Sequence, residues 1–205
     1  VIAPIDPSAL VLETPRLRLR PWAAEDEDLC IALLCDPEVM RYVGDAISEE
    51  AARAHMANAL RRGAGGRLGI WCVEDRATGE KLGDGVLTPI PIETDEPDWA
   101  QLVPDAYPEA QIEVGYLLKP AAWGRGIATE VCARLLRFAF EQTALTQAVA
   151  CTDLENRASQ RVLAKCGMRA CGTARAYAEE VAWFEMTRAD WRLQESNQLP
   201  SGSPG

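Results

Sequence analysis

Leucine alternates with arginine over Leu17-Arg18-Leu19-Arg20, between Pro15 and Pro21, which predicts a half-buried strand whose arginines face solvent. An acidic run, Glu25 to Asp28, then precedes Leu29, Ile31, Ala32, Leu33 and Leu34, as a helix N-terminus prefers, and Asp36-Pro37 closes it. Ser48 is a suitable N-cap for a helix carrying Ala52, Met56, Ala59 and Leu60 to Arg62, stopped by Gly63, Gly65 and Gly66. Strand-like runs return over Leu68–Glu74 and Lys81–Leu87, on either side of Ala77-Thr78-Gly79, and predict an antiparallel hairpin with a bulge near Gly83 and Gly85. Positions 88 to 109 hold five prolines and six acids, so a long loop is expected there, either a functional lip or a disordered excursion.

Ile112-Glu113-Val114-Gly115-Tyr116-Leu117-Leu118 is an apolar, β-branched and aromatic run closed by Lys119-Pro120, and reads as a strand. Val131, Leu135 and Phe138, with Cys132, Leu136 and Ala139 one step round, form the stripe of a half-buried helix. Between strand and helix lies Trp123-Gly124-Arg125-Gly126-Ile127-Ala128-Thr129. Further on, Gln147–Thr152 reads as a strand, and a helix turns Ala158, Val162, Leu163 and Cys166 inward before Gly167. Met168–Thr173 and Val181–Thr187 read as a closing strand pair, and Thr187-x-x-Asp190 as the capping box of a short last helix. Residues 1–10 and 193–205 lack periodicity and are expected to be tails flanking one domain over 11–192.

The chain has 205 residues, 48% of them hydrophobic, enough for one well-buried domain and short for two. Its net charge of −10 disfavours nucleic acid and anionic membrane as partners, since both would repel it. With no signal-peptide pattern and no run of 18 apolar residues, a cytoplasmic location is expected. Seven cysteines, an odd number without Cys-x-x-Cys, read as reduced core residues. The single histidine, His55, has no ligand-like neighbours, so neither a metal site nor a serine–histidine triad is expected.

A strand, a glycine-containing turn and a helix together aim unpaired backbone N–H groups at one point, with the positive end of the helix dipole behind them. Such a point suits a phosphate, although a tight turn that merely needs glycine has the same spelling. The phosphate-loop motif and the dinucleotide fingerprint both fail here, the latter because Thr129 stands where its third glycine belongs.

This turn is followed some 30 residues later by Asn156-Arg157-Ala158-Ser159, opening a helix that ends at Lys165-Cys166-Gly167-Met168. The two together resemble the GNAT superfamily of N-acetyltransferases, most closely its ribosomal-protein (RimJ/RimL-like) branch. The resemblance extends through Leu12–Arg20, Asp36–Tyr42, Glu113–Tyr116 and Thr187–Trp191. It implies an α+β, three-layer fold: one GNAT-type domain with a mixed, mostly antiparallel seven-stranded sheet, helices on both faces, and a V-shaped opening between the fourth and fifth strands. It also implies acetyl-CoA as co-substrate and no metal. The family's signature turn, Gln/Arg-x-x-Gly-x-Gly/Ala, appears as Trp123-Gly124-Arg125-Gly126-Ile127-Ala128, with tryptophan departing at the first position. Amides from about Arg125 to Thr129 are then implied to hold the pyrophosphate, the edge at Leu117 and Leu118 the pantetheine arm, and an amide near Val114 or Gly115 the thioester oxygen.

Acetyl transfer asks for a neutral amine, a stabilised oxyanion and a proton for the leaving thiolate. Glu113, a carboxylate inside an apolar strand, is the candidate base, directly or through water; a solvent-facing or arginine-paired carboxylate is the alternative. Ser159 resembles the serine of the branch's Asn-x-x-Ser motif, implied to face the coenzyme sulfur and donate the proton; a helix-start serine bonding backbone is the alternative. Asn156 either touches the coenzyme or caps the helix. Tyr116 reads as packing, and Tyr177 lies in a loop that gives it no direction. The expected activity is acetylation of a peptide α-amine or small-molecule amine by a monomer or homodimer. The competing reading is a non-catalytic coenzyme-A-binding sensor or interaction module of the same fold.

Overall fold

A computed structural model describes residues 2–198. The strands are β1 (Leu12–Glu13), β2 (Leu17–Pro21), β3 (Gly69–Asp75), β4 (Lys81–Pro89), β5 (Ile112–Leu118), β6 (Gln147–Thr152), β7 (Arg169–Ala176) and β8 (Glu179–Thr187). The helices are α1 (Glu27–Leu34), α2 (Pro37–Met40), α3 (Glu49–Ala59), α4 (Ile127–Gln142), α5 (Arg157–Lys165) and α6 (Arg188–Gln198). One sheet orders the strands β1-β2-β3-β4-β5-β6-β8-β7. It has eight strands rather than the expected seven, because the chain before Thr14 adds the two-residue β1 along β2.

Every neighbouring pair is antiparallel except β5 and β6, which are parallel and meet only at Glu113 and Val149. Beyond that point the two strands part, and the opening between them is the one implied between the fourth and fifth strands. Alternation along the strands sorts side chains to two faces. Trp71 and Val73 pack with Val131 and Leu135 of α4, whereas Ile70 and Cys72 pack with Leu29, Leu33, Ala52 and Met56 of α1 and α3. A Cβ on Gly85 would lie 2.7 Å from the Val131 side chain, so glycine lets α4 sit close on β4. A smaller cluster of Ile90, Val149, Ala176, Val181 and Trp183 lies under the β7–β8 hairpin.

The capping residues act as expected: the Ser48 hydroxyl accepts from Ala51 N, Thr187 and Asp190 form the box of α6, and Gly167 follows α5 with φ +81°. All seven cysteines are free. Three readings change, and the 88–109 loop, left open between lip and disordered excursion, takes one form. Arg20 does not face solvent: its guanidinium grips the buried Asp26 carboxylate at 2.7 and 2.8 Å and also bonds Glu74, because β2 is covered by the turn leading into α1. The N-terminal segment is docked, with a 3-10 turn at Pro7–Leu10, Leu10 buried, and Ile5 N donating to Gly65 O at 2.8 Å. The proline-rich loop is ordered, with Ile90 and Leu102 buried and a 3-10 turn at Trp99–Gln101. Helix α6 continues past position 192 to Gln198; the rest of the expected C-terminal tail lies outside the described residues.

Candidate active site

The sharpest feature is the entrance to α4. Gly124 and Gly126 both adopt left-handed backbone (φ +69° and +77°), which only glycine enters freely, and Gly126 caps α4 without a side chain. The first bond of the helix runs from Glu130 N to Gly126 O. The amides of Arg125 to Thr129 therefore find no acceptor among the described residues and point outward along the positive end of the helix. A cavity of about 420 Å³ opens in front of them. Trp123, Gly124, Gly126, Ile127, Ala128 and Thr129 line it, and Arg125 does not, its side chain turning toward Ala121 O and Asp75.

The cavity runs along β5, where Tyr116, Leu117 and Leu118 line it. Register decides which backbone groups are available there. Ile90 N donates to Gln111 O and Lys119 N to Leu82 O, so by antiparallel alternation Glu113, Gly115 and Leu117 exchange bonds with β4. The parallel bridge to Val149 then takes the Val114 amide. Neither Val114 nor Gly115 is left to serve an oxyanion. The first free donor on the open edge is the Tyr116 amide, the next the Leu118 amide; the Leu118 carbonyl accepts from the Trp123 indole at 2.8 Å. For the same reason Leu117 meets the cavity with its side chain, and its amide also reaches the Asp84 carboxylate at 3.1 Å.

Asn156 and Ser159 line the opposite wall. The Asn156 carboxamide accepts from Ser159 N at 3.0 Å, so it caps α5 and fixes the serine at the cavity. The Ser159 and Tyr116 hydroxyls are hydrogen-bonded at 2.9 Å, and burial pushes the Tyr116 phenol well above its ordinary pKa, so it holds its proton. Tyr116 is thus more than packing. Arg161 and Lys165 also line this wall and engage no acidic side chain among the described residues. Their spacing from Ala158, three and seven residues on, marks them as one helix face, a signal the sequence carried. Val39, Arg41 and Tyr42, around the end of α2, close the cavity from the other side and had no chemical signature of their own.

Glu113 lies apart from this cavity. Its side chain points to the sheet face away from α4, where it is 8% exposed, beneath the β7–β8 turn. The Tyr177 hydroxyl donates to its Oε1 at 2.5 Å and the Cys151 thiol to its Oε2 at 3.9 Å. Burial raises its pKa to about 7, against the lowering effect of those two donors. Glu113 thus neither faces solvent nor pairs with an arginine among the described residues. Among the described residues no His, Cys, Asp and Glu group could hold a metal.

The arrangement fits coenzyme A: unpaired amides for a pyrophosphate, free cations beside them, and an open strand edge for an amide-bearing arm. Comparisons agree. The model of the acetyltransferase (GNAT) domain matches residues 16–169. The YkkB protein of Bacillus subtilis is 30% identical over 175 residues, covering 85% of this chain and 94% of that protein. An FsC-acetyl coenzyme A-N(2)-transacetylase of Aspergillus fumigatus is 30% identical over 204 residues, covering 93% and 82%. A structure of RimL, a ribosomal alpha-N-protein acetyltransferase in complex with coenzyme A, superposes with a TM-score of 0.64 at 13% identity, covering 86% of this chain and 97% of that one. By sequence and fold, the chain belongs to the GNAT family and is an acetyl-CoA-dependent acetyltransferase.

Proposed function

We propose that the protein acetylates an amine with Glu113 as base and Ser159, backed by Tyr116, as proton donor. The observation that carries this is the placement of the two groups on either side of β5. The unpartnered 125–129 amides and Ser159 stand on the cavity side, and a buried carboxyl with a pKa near 7 stands across the strand where β5 and β6 part. Bound in the cavity, acetyl-CoA supplies the acetyl thioester that the amine attacks.

The chain's own groups then have distinct work. The amides of Arg125 to Thr129, with Arg161 and Lys165, hold the phosphates. The Tyr116 amide, free on the β5 edge, is placed to stabilise negative charge at the thioester oxygen. Glu113 removes the amine's proton, directly or through water, and its raised pKa suits that exchange near neutral pH. The Ser159 hydroxyl, aligned by the Tyr116 hydroxyl that keeps its own proton, protonates the departing sulfur and takes a proton back from solvent in the open cavity.

An α-amine with pKa near 7.7–8.0 is neutral in roughly a tenth of molecules at pH 7, a lysine near 10.4 in about one in a few thousand. Glu113 as the one proposed base and a cavity lined by no histidine suit the easier acceptor, a peptide α-amine or a small amine of low pKa. The name of RimL specifies a protein α-amine, and that of the FsC transacetylase an N(2) nitrogen. Incubation with acetyl-CoA and a panel of peptides and small amines, followed by thiol release, is expected to show turnover with at least one class. Release no faster than thioester hydrolysis across a broad panel sinks the proposal.

A further inference from the structure

The turn joining β7 and β8 is Tyr177-Ala178, and both residues are left-handed (φ +52° and +59°). That is the two-residue hairpin geometry for which Asn-Gly is the favoured spelling, and neither residue here enters it without strain. Something outside the turn must hold it. Tyr177 N donates to Pro91 O at 3.1 Å and Ala178 N to Ile92 O at 3.0 Å, while Arg175 pairs with Glu93 at 2.8 Å. These contacts fasten the hairpin to the start of the proline-rich loop. The fourth hold is the Tyr177 hydroxyl on Glu113, which occupies one carboxylate oxygen and shuts the residue in. In this arrangement no amine can reach Glu113.

We propose that Tyr177 is the positioning residue and lid of the base: the strained Tyr177-Ala178 turn lifts from Pro91 and Ile92, and the acceptor amine takes the place of the Tyr177 hydroxyl on Glu113. This rests on the reading of Glu113 as the base. Strain concentrated in a turn that needs outside contacts to persist is the signature of an element with a second state close in energy. The turn's bonds are few, local and at the edge of the sheet, so it opens without breaking the β6–β8 pairing. The closed form keeps Glu113 aimed and dry until an acceptor with a hydrogen-bonding nitrogen competes for it.

Two variants separate the possibilities. Ala178→Gly removes strain from the closed turn and is expected to slow amide exchange at Tyr177 and to raise the KM for the acceptor several-fold, with the KM for acetyl-CoA unchanged. Tyr177→Phe keeps the ring and removes the hold on Glu113. It is expected to speed exchange at both turn amides and to lower the acceptor KM. The acceptor used is whichever amine or peptide shows thiol release in the panel above. Altered exchange with an unchanged acceptor KM in both variants overturns the lid, as does an acetyl-CoA KM that moves in parallel with it. Failure of the base reading is distinguishable: Glu113→Gln then retains full kcat, whatever the turn variants do.

Discussion

Glu113 and Asp84 are both carboxyls buried on the same face of the sheet, and both have pKa values pushed up to about 7 by burial. Their partners separate them. Asp84 accepts only the Leu117 amide, while Glu113 is held by Tyr177 and Cys151 at the strand opening. If Glu113 is the base, the active form is its carboxylate, present above pH 7 and lost as pH falls through that value. Wild-type kcat/KM is therefore expected to fall below about pH 7, and Glu113→Gln to lose about 10²–10⁴-fold with that acid limb gone. A limb that survives the substitution assigns it to another group. Asp84 makes a stability prediction of opposite character. A folded-state pKa raised above the unfolded value means stability is fully present below about pH 4 and is lost as pH rises toward 7. Asp84→Asn, which keeps the acceptor oxygen, is expected to be more stable than wild type at pH 8 by on the order of 2–4 kcal/mol, with the difference closing at pH 4. Chemical denaturation at the two pH values measures it.

Among elements, the strand–turn–helix unit from Ile112 to Gln142 was legible in the sequence, since β-branched content, two glycines and a helical stripe each act over a few residues. Its free edge was not. Whether Val114, Gly115 or Tyr116 offers its amide depends on pairing register with β4 and β6, which no local pattern encodes. The arginines of β2 show the same limit. Alternation told which residues face away from the core cluster, yet Arg20 is covered because the turn before α1 folds back and inserts Asp26. Asp26 is fully buried and binds Arg20, Lys81 and the Ala23 amide, tying β2, β4 and the start of α1 together. Asp26→Ala removes the carboxylate that Arg20 and Lys81 share, leaving them Glu74 and Asp28, and is expected to cost about 1–3 kcal/mol. A thermal melt showing a loss under 1 kcal/mol contradicts this account.

At the scale of the molecule, eight strands and two helical layers leave one parting in the sheet among the described residues, and the cavity proposed for the co-substrate lies along it. Its walls come from β5, α4 and α5, so a ligand filling it links elements distant in sequence and binds only the folded chain. Acetyl-CoA at a hundred times its dissociation constant is expected to add about 2.7 kcal/mol, a rise of about 5–10 °C in Tm for a domain of this size. ATP at the same concentration serves as the control, and an equal shift with it argues against a coenzyme A site. The net charge of −10 favours a cationic acceptor over an anionic one, and the acids Glu93 to Asp98 sit on the ordered loop to which the Tyr177 turn is fastened.

While it left Asn156 open between cap and coenzyme contact, the sequence by itself determined most of the elements, the caps at Ser48 and Thr187, and the glycine turn at Gly124–Gly126. Each of these is set by chemistry within one or two turns of chain. It also brought Glu113 forward, because a carboxylate in an apolar strand is visible without coordinates, whereas Ser159 came forward through the resemblance of Asn156-Arg157-Ala158-Ser159 to the family's motif. Only the tertiary structure decided that these two stand on opposite faces of β5, that Tyr116 backs Ser159, and that Tyr177 closes over Glu113. Face, edge and lid follow from strand register and from contacts 40 or more residues apart, and a shift of one residue in pairing would reverse each of them.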